Sequence, residues 1–112
     1  MTYNKYKNKK TIVDGIPFDS LKEARRYQEL KLLVRGGAIK DLELQPVFEL
    51  IPKQKHDGKT IRKANYIADF KYTDIQRGIT VVEDVKGFKT DVYKLKKKMF
   101  LYKYPQYEFK EI

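Results

Sequence analysis

The spacing of apolar and polar positions changes several times along the chain, and each change marks an expected element. Residues 11–18 alternate around an Asp-Gly pair, which predicts a small β-hairpin. Apolar side chains then recur every three to four positions, which predicts a helix that Asp19 or Ser20 caps and that runs to Arg35. Gly36-Gly37 is typical of a helix C-terminus.

The second half of the chain alternates strand-like and helix-like spacing. Five further elements are predicted: a strand over residues 42–51, a strand from Asp57-Gly58 to Tyr72, a strand over 79–86, a helix from Thr90 or Asp91 to about Tyr104, and a short strand over 107–112. Because a helical crossover joins the last two strands, those two should run parallel. The order αβββαβ, preceded by the hairpin, predicts an α/β domain whose mixed sheet has a helix on each side.

The second helix separates apolar from basic positions. The expected core positions are Val92, Leu95, Met99 and Tyr102, backed by Phe100. The positions expected to face away, as a solvated surface or one that contacts phosphates, are Lys94, Lys97 and Lys98.

The first helix places a carboxylate among its apolar positions. At about 100° per residue, Tyr27, Leu30 and Val34 lie within roughly 40° of Glu23. Burying a carboxylate is costly unless it is paired, neutralised or bound to a metal. Glu23 therefore either serves a site or only favours the helix N-terminus while its head group reaches solvent.

Two aspartates stand in neighbouring strands of the predicted sheet. If Thr73 pairs with Thr80, Asp69 faces Asp84 with Cβ atoms roughly 5 Å apart, an arrangement that should be repulsive. A register slip of one residue would put Glu83 in the place of Asp84.

Three carboxylates that converge would form an oxygen-lined pocket suited to Mg²⁺ or Mn²⁺. A cation between Asp69 and Asp84, with Glu23 approaching from the helix, would remove their repulsion. Lys86 shares a strand face with Asp84 and could stabilise developing charge or orient a water molecule. That is a chemistry for cutting phosphodiesters. The alternative is a salt-bridged surface patch in which Lys71 and Lys86 neutralise the aspartates.

Composition and net charge indicate which class of partner to expect. The 112 residues suit one domain and include no cysteine. No apolar run approaches the roughly 20 residues that span a bilayer, and the polar N-terminus does not resemble a secretory signal. A cytoplasmic protein without membrane contact is therefore expected. Lysine and arginine number 25 against 15 acidic residues, a formal charge of +10 that favours a nucleic-acid partner. Besides Lys94, Lys97 and Lys98, the candidate contacts are Lys5, Lys7, Lys9 and Lys10 in a basic arm over residues 1–10.

The carboxylates and the lysine carry a family resemblance. Asp69, then Asp84-Val85-Lys86 after a turn, with Glu23 on the preceding helix, resembles the PD-(D/E)XK nuclease superfamily, which includes type II restriction enzymes and Holliday-junction resolvases. Four segments resemble, more closely, a family of small phage and prophage proteins of unassigned function in that superfamily: 18–27 (FDSLKEARRY), 44–46 (LQP), 66–70 (YIADF) and 82–87 (VEDVKG).

The resemblance implies roles for particular residues. Asp69, Asp84 and Glu23 would bind the metal, and Lys86 would be the catalytic lysine. Gln45 would hold a water molecule or a phosphate, although it could also be an ordinary polar residue of an edge strand.

Two positions depart from the superfamily pattern. Ala68 replaces the proline that gives the superfamily its name, and Asp84 replaces the more usual glutamate. The second change shortens the reach of that carboxylate by one methylene.

Residues 11–112 are thus expected to form one restriction-endonuclease-like domain. Its expected activity is Mg²⁺- or Mn²⁺-dependent hydrolysis of DNA, with branched or Holliday-junction-like DNA as substrate in phage recombination, replication or packaging. In a phage the compartment would be the host cytoplasm, and a homodimer is left open. The alternatives are a catalytically inactive nucleic-acid-binding module of the same fold and a regulatory protein that binds other proteins.

Overall fold

The computed structural model describes residues 10–85 and 89–112, and in these ranges the chain forms an α/β structure with two helices. The helices are α1 (Leu21–Arg35) and α2 (Asp91–Lys103). The strands are β1 (Thr11–Val13), β2 (Ile16–Phe18), β3 (Ile39–Leu44), β4 (Val47–Ile51), β5 (Gln54–His56), β6 (Lys59–Ile61), β7 (Ala64–Ile67), β8 (Phe70–Asp74), β9 (Ile79–Asp84) and β10 (Glu108–Glu111). Neither helix in these ranges combines the length and apolar character needed to cross a bilayer.

Helix α1 begins and ends where the sequence predicts. The Ser20 side chain caps it by accepting a hydrogen bond from the Glu23 N–H at 3.1 Å, and the helix ends at Arg35 before Gly36. Its buried residues are Glu23, Ala24, Tyr27 and Leu30. Glu23 is only 7% exposed, so the interpretation in which its head group reaches solvent is wrong.

The central sheet has the strand order β10-β9-β8-β3. β10 runs parallel to β9, as the helical crossover predicts, and the other neighbours are antiparallel. β8 and β9 pair Thr73 with Thr80 and Phe70 with Glu83. This confirms the predicted register, and the register slipped by one residue is wrong.

Two predicted strands are interrupted. The strand expected over residues 42–51 is β3 and β4 on either side of Gln45-Pro46, and the strand expected from Asp57-Gly58 to Tyr72 is divided into β6, β7 and β8. Gln45 adopts a φ of 50°, and proline has no N–H to donate to a ladder. Backbone hydrogen bonds still join the two breaks, from the Gln45 N–H to the Asp69 carbonyl at 2.9 Å and from the Ala68 N–H to the Pro46 carbonyl at 3.1 Å.

The side chains change face at these breaks. In one continuous strand Tyr66, Ala68, Phe70 and Tyr72 would all point to the same side of the sheet. Instead Tyr66 and Ala68 pack in a cluster with α2, whereas Phe70 and Tyr72 pack in a cluster with α1. Asp69 therefore lies where the ladder passes from one core to the other.

The predicted apolar stripe of α2 is wrong in most of its positions. Val92 is 64% exposed, Leu95 56% and Tyr102 87%. Met99 is partly buried, and Phe100 is fully buried as predicted. The other residues that α2 buries or half-buries are Tyr93, Lys96 and Lys97. The buried face of α2 thus centres on the aromatic rings of Tyr93 and Phe100. Lysine stems cover apolar surface while their head groups reach solvent.

Candidate carboxylate site

The β8–β9 register brings Asp69 next to Asp84. The ladder continues beyond Phe70, because the Asp69 N–H donates to the Glu83 carbonyl at 3.0 Å. The Asp69 carboxylate also accepts from the Val85 N–H at 2.6 Å through Oδ2. Asp69 is therefore held against the end of β9, from which Asp84 projects.

Burial and neighbouring charges shift the pKa of Asp69. Burial is the main cause that raises the pKa of Asp69 to about 7, and the charges of Asp84 and Glu23 raise it further, while the Val85 N–H acts in the opposite direction. Asp69, which immediately precedes β8, is thus within electrostatic reach of Asp84 on β9 and of Glu23 on α1.

Asp84 is fully buried and is held from the α2 side. The Tyr66 hydroxyl donates a hydrogen bond to its Oδ2 atom, and burial together with this bond raises the pKa of Tyr66. The ring of Tyr93 lies 6.4 Å from that of Tyr66. The pKa of Tyr93 is raised by burial, by its hydrogen bond to Glu111 and by the charge of Asp84.

A cavity of about 430 Å³ opens beside the carboxylates on the side of the hairpin and α1. Its polar lining residues are Lys10, Asp19, Glu23, Gln45 and Asp69. Lys10 and Asp19 form a salt bridge of 3.0 Å in this lining. Four of the sequence-predicted site residues, Lys10, Glu23, Gln45 and Asp69, thus share one solvent-accessible space, and Asp84 is not among the lining residues.

Glu83 lies apart from this cluster, in the core beneath α1. The Arg26 guanidinium donates to both of its carboxylate oxygens, at 2.7 and 2.6 Å, and the Tyr72 hydroxyl donates to Oε2. Glu83 is fully buried, so its charge is compensated by a bidentate pair. The chemistry of the donors therefore assigns Glu83 to structure rather than to the cavity.

The carboxylate oxygens of Glu23, Asp69 and Asp84 are of the type that binds hard divalent cations, but they are not arranged as a set of metal ligands. In residues 10–85 and 89–112, no three or more carboxylates or imidazoles come together in an arrangement that could hold a metal ion. Carboxylate oxygens are nonetheless the ligands that Mg²⁺ and Mn²⁺ prefer. The raised pKa of Asp69 favours its protonated form, and a cation that bound there would compete with that proton.

Apart from Lys10, which lines the cavity, the predicted basic residues divide into three groups. Lys5, Lys7, Lys9 and the candidate catalytic Lys86 lie outside the described residues. Lys94 and Lys98 are exposed on α2, as predicted. The prediction that Lys97 faces away is wrong: it is half-buried, pairs with Glu111 at 3.1 Å and lies over the Phe109 ring.

Sequence reasoning did not find the residues that support the site. Tyr66 carries the hydroxyl that binds Asp84, and Arg26 neutralises the one acid of β9 that lies outside the cluster. Arg26 stands one turn after Glu23 on α1, so helical spacing puts both on the face that meets the sheet. The spacing of Glu23 and Arg26 could therefore have predicted that Arg26 faces the sheet. The hydrogen bond from Tyr66 to Asp84 depends on the change of face between β7 and β8, which the sequence does not show.

The comparisons with known proteins place the chain without assigning it an activity. No curated protein and no solved structure matches it. Residues 3–112 match one family over nearly the whole chain. The chain therefore belongs to the family described as "Protein of unknown function (DUF1064)".

Proposed function

We propose that this protein is a divalent-metal-dependent DNA endonuclease with a restriction-endonuclease-like core. The single observation that carries the proposal is the juxtaposition of Asp69 and Asp84 where the antiparallel β8–β9 ladder ends, with Glu23 of α1 lining the same cavity as Asp69. Carboxylates that face each other repel, which destabilises the fold unless a proton or a cation neutralises them, and this favours a cation-binding role for the pair.

The three carboxylates would hold the cation. A bound Mg²⁺ or Mn²⁺ would neutralise them, polarise a phosphodiester oxygen and lower the pKa of a water molecule. Asp84 is oriented by Tyr66, and Asp69 is oriented by the Val85 N–H. Gln45 lines the cavity beside Asp69, where its amide could position a water molecule or a phosphate oxygen. By family resemblance, Lys86 would stabilise the charge that develops during cleavage.

Charge supports nucleic acid as the substrate. The chain carries a formal +10, which favours a polyanionic partner. Lys10 lines the cavity that contains Glu23 and Asp69. So small a domain leaves little room for sequence readout, which favours branched or otherwise structured DNA over a defined base sequence.

A cleavage assay tests the proposal. Purified protein is incubated with linear duplex, single-stranded and four-way DNA, each with Mg²⁺, Mn²⁺ or a chelator. We expect cleavage with a divalent metal only, and none by Asp84→Asn. Lys86→Ala should cut much more slowly while keeping its response to metal, because the lysine serves the transition state. Glu49→Gln, an exposed acid on β4, is the matched control and should cut normally.

A second candidate is a nucleic-acid-binding module without catalysis. It is favoured by the lack of an assembled metal-ligand set in the described ranges and by the hydrogen bond that already engages Asp84. In that case DNA binding would be retained with every metal and with chelator, no substrate would be cut, and Asp84→Asn would bind DNA as the wild type does.

A further inference from the structure

A second cavity, of about 480 Å³, lies along α2 and the end of β10. Four of its lining residues are lysines: Lys89, Lys94, Lys97 and Lys98. The others are Tyr93, Leu101 and Glu111. We call this cavity the lysine groove.

Glu111 forms ion pairs with two of the four lysines. It lies 3.3 Å from the Lys89 ammonium and 3.1 Å from that of Lys97. The Tyr93 hydroxyl donates to the same carboxylate at 2.5 Å, and this bond, with the two lysines, lowers the pKa of Glu111 to about 2. Lys89 and Lys97 are thus already engaged at neutral pH.

The other two lysines are available to an outside partner. Lys94 and Lys98 are exposed, stand four residues apart on α2, and form no ion pair with any residue that the structure describes. Residues at this spacing lie on the same face of a helix, one turn apart. Two flexible lysines whose Cβ atoms are about 5–6 Å apart can each contact a different phosphate of an extended strand, which favours a polymeric anion.

The groove also has an apolar wall. Leu101 is 44% exposed although it is a large apolar side chain, and it lines the groove together with Tyr93 and the lysines. A ligand that satisfies both parts of the lining must carry anionic and flat apolar groups side by side. A nucleotide strand has this chemistry, since its phosphates alternate with bases.

The lysine groove is close to the carboxylate site. Tyr93 lines the groove, its ring lies 6.4 Å from that of Tyr66, and the Tyr66 hydroxyl binds Asp84. Glu111, which also lines the groove, pairs with Asp84 in the β9–β10 register. The groove therefore adjoins the strand end that carries Asp84.

We propose that the lysine groove binds the DNA strand next to the bond that is cut, with phosphates on Lys94 and Lys98 and a base against Leu101. Lys89 and Lys97 stay with Glu111 and shape the groove without contacting DNA. The inference deepens the proposed nuclease function and rests on it.

Binding without metal tests the groove separately from cleavage. The affinity for a fluorescent single-stranded oligonucleotide is measured by anisotropy in chelator across a salt series. Lys94→Ala/Lys98→Ala should lower the slope of log Kd against log salt by about 1.4, because each phosphate contact with a single strand contributes about 0.7. The charge-matched control is Lys55→Ala/Lys59→Ala, on exposed positions of the β5–β6 hairpin, and should keep the wild-type slope.

Glu111→Gln gives a second measurement of opposite sign. Removing this carboxylate releases Lys89 and Lys97 into the groove, so binding should tighten and the salt slope should become steeper. A thermal melt confirms that the variant is folded at the assay temperature. If the folded variant kept the wild-type slope of log Kd against log salt, Glu111 would not be the group that holds Lys89 and Lys97 away from DNA.

The position of the groove relative to the cut is tested with neutral linkages. A methylphosphonate placed next to the cut bond should weaken binding by the wild type and leave Lys94→Ala/Lys98→Ala unaffected. Equal losses of slope in the groove variant and the hairpin variant would overturn the proposal, because binding would then be diffuse. Absence of cleavage by the wild type overturns the nuclease function instead, and the salt slopes are read independently of that result.

Discussion

At the scale of single residues, the most informative group is Asp69, whose pKa is about 7 in the fold against an ordinary 3.8. Between these two pH values the folded protein retains a proton that the unfolded chain releases. The free energy of unfolding should therefore fall as the pH rises from about 4 to about 7. Asp69→Asn cannot ionise, so its stability should change less over this range.

Urea unfolding at pH 5, 6, 7 and 8 measures this difference. Asp41→Asn serves as the control, because Asp41 is exposed and adopts a left-handed φ of 57° that asparagine also tolerates. A wild-type decline that persists unchanged in Asp69→Asn would contradict a carboxylate held protonated by burial and by its acidic neighbours.

Glu23 distinguishes a functional acid from a helix-terminal one. Its backbone N–H is already capped by Ser20, so Glu23→Gln keeps the cap and removes only the charge near Asp69. We expect the metal-free protein to be as stable as the wild type or more stable, while cleavage is impaired. If the carboxylate served only the helix dipole, the variant would lose about 0.3–1 kcal/mol and cut normally. Thermal melts alongside cleavage rates measure both quantities.

At the scale of elements, local signals predicted most of what the structure contains. The Asp-Gly hairpin, the Ser20 cap, the end of α1 and the parallel β9–β10 pair depend on turn chemistry and chain connectivity, which a sequence records directly. The change of face at Asp69 could not be predicted in this way. It arises because two helices pack against successive parts of one ladder, and only the assembled fold contains that information.

Helix α2 shows how a periodic pattern can indicate the wrong face. Leu95→Ala should change the free energy of unfolding by less than about 0.5 kcal/mol, since the side chain is 56% exposed. Phe100→Ala removes a fully buried ring and should cost about 3–5 kcal/mol. Chemical denaturation of the two variants measures this difference. If both variants lost a similar free energy of unfolding, the stripe that contains Leu95 would be a core face of α2 after all.

The bond between Arg26 and Glu83 ties α1 to β9, the two elements that carry Glu23 and Asp84. Arg26→Met would leave the Glu83 charge buried without a cation and should cost about 3–5 kcal/mol. Adding Glu83→Gln removes that charge and should recover part of the loss. Urea unfolding of both single variants and the double variant gives the coupling energy, and additive losses would show that the pair is not coupled.

At the scale of the whole molecule, the candidate site lies where the two cores meet, and this explains which of its parts the sequence could reveal. Glu23, Asp69 and Asp84 interrupt apolar patterns, and so they are visible in the sequence. Tyr66 and Arg26 follow the normal pattern of their elements and gain their roles only from contacts across the sheet. The sequence therefore predicted the register that brings Asp69 next to Asp84, but not the side chains that hold these elements in place.

Metal should stabilise the whole fold if the carboxylates bind it. A ligand that binds only the folded state raises its stability by RT ln(1 + [L]/Kd), so Mg²⁺ or Mn²⁺ should increase the Tm. The increase should be larger at pH 8 than at pH 6, because a cation must displace the proton that Asp69 holds up to about pH 7. Asp84→Asn should lose the increase yet still bind DNA in chelator, since one negative charge near the phosphates has been removed. Differential scanning calorimetry across metal concentrations and the two pH values provides the measurement, with Glu49→Gln as the matched exposed control. A Tm increase that Asp84→Asn retains in full would mean that the ion binds elsewhere, and the facing aspartates would then be a cost that the fold tolerates for another reason.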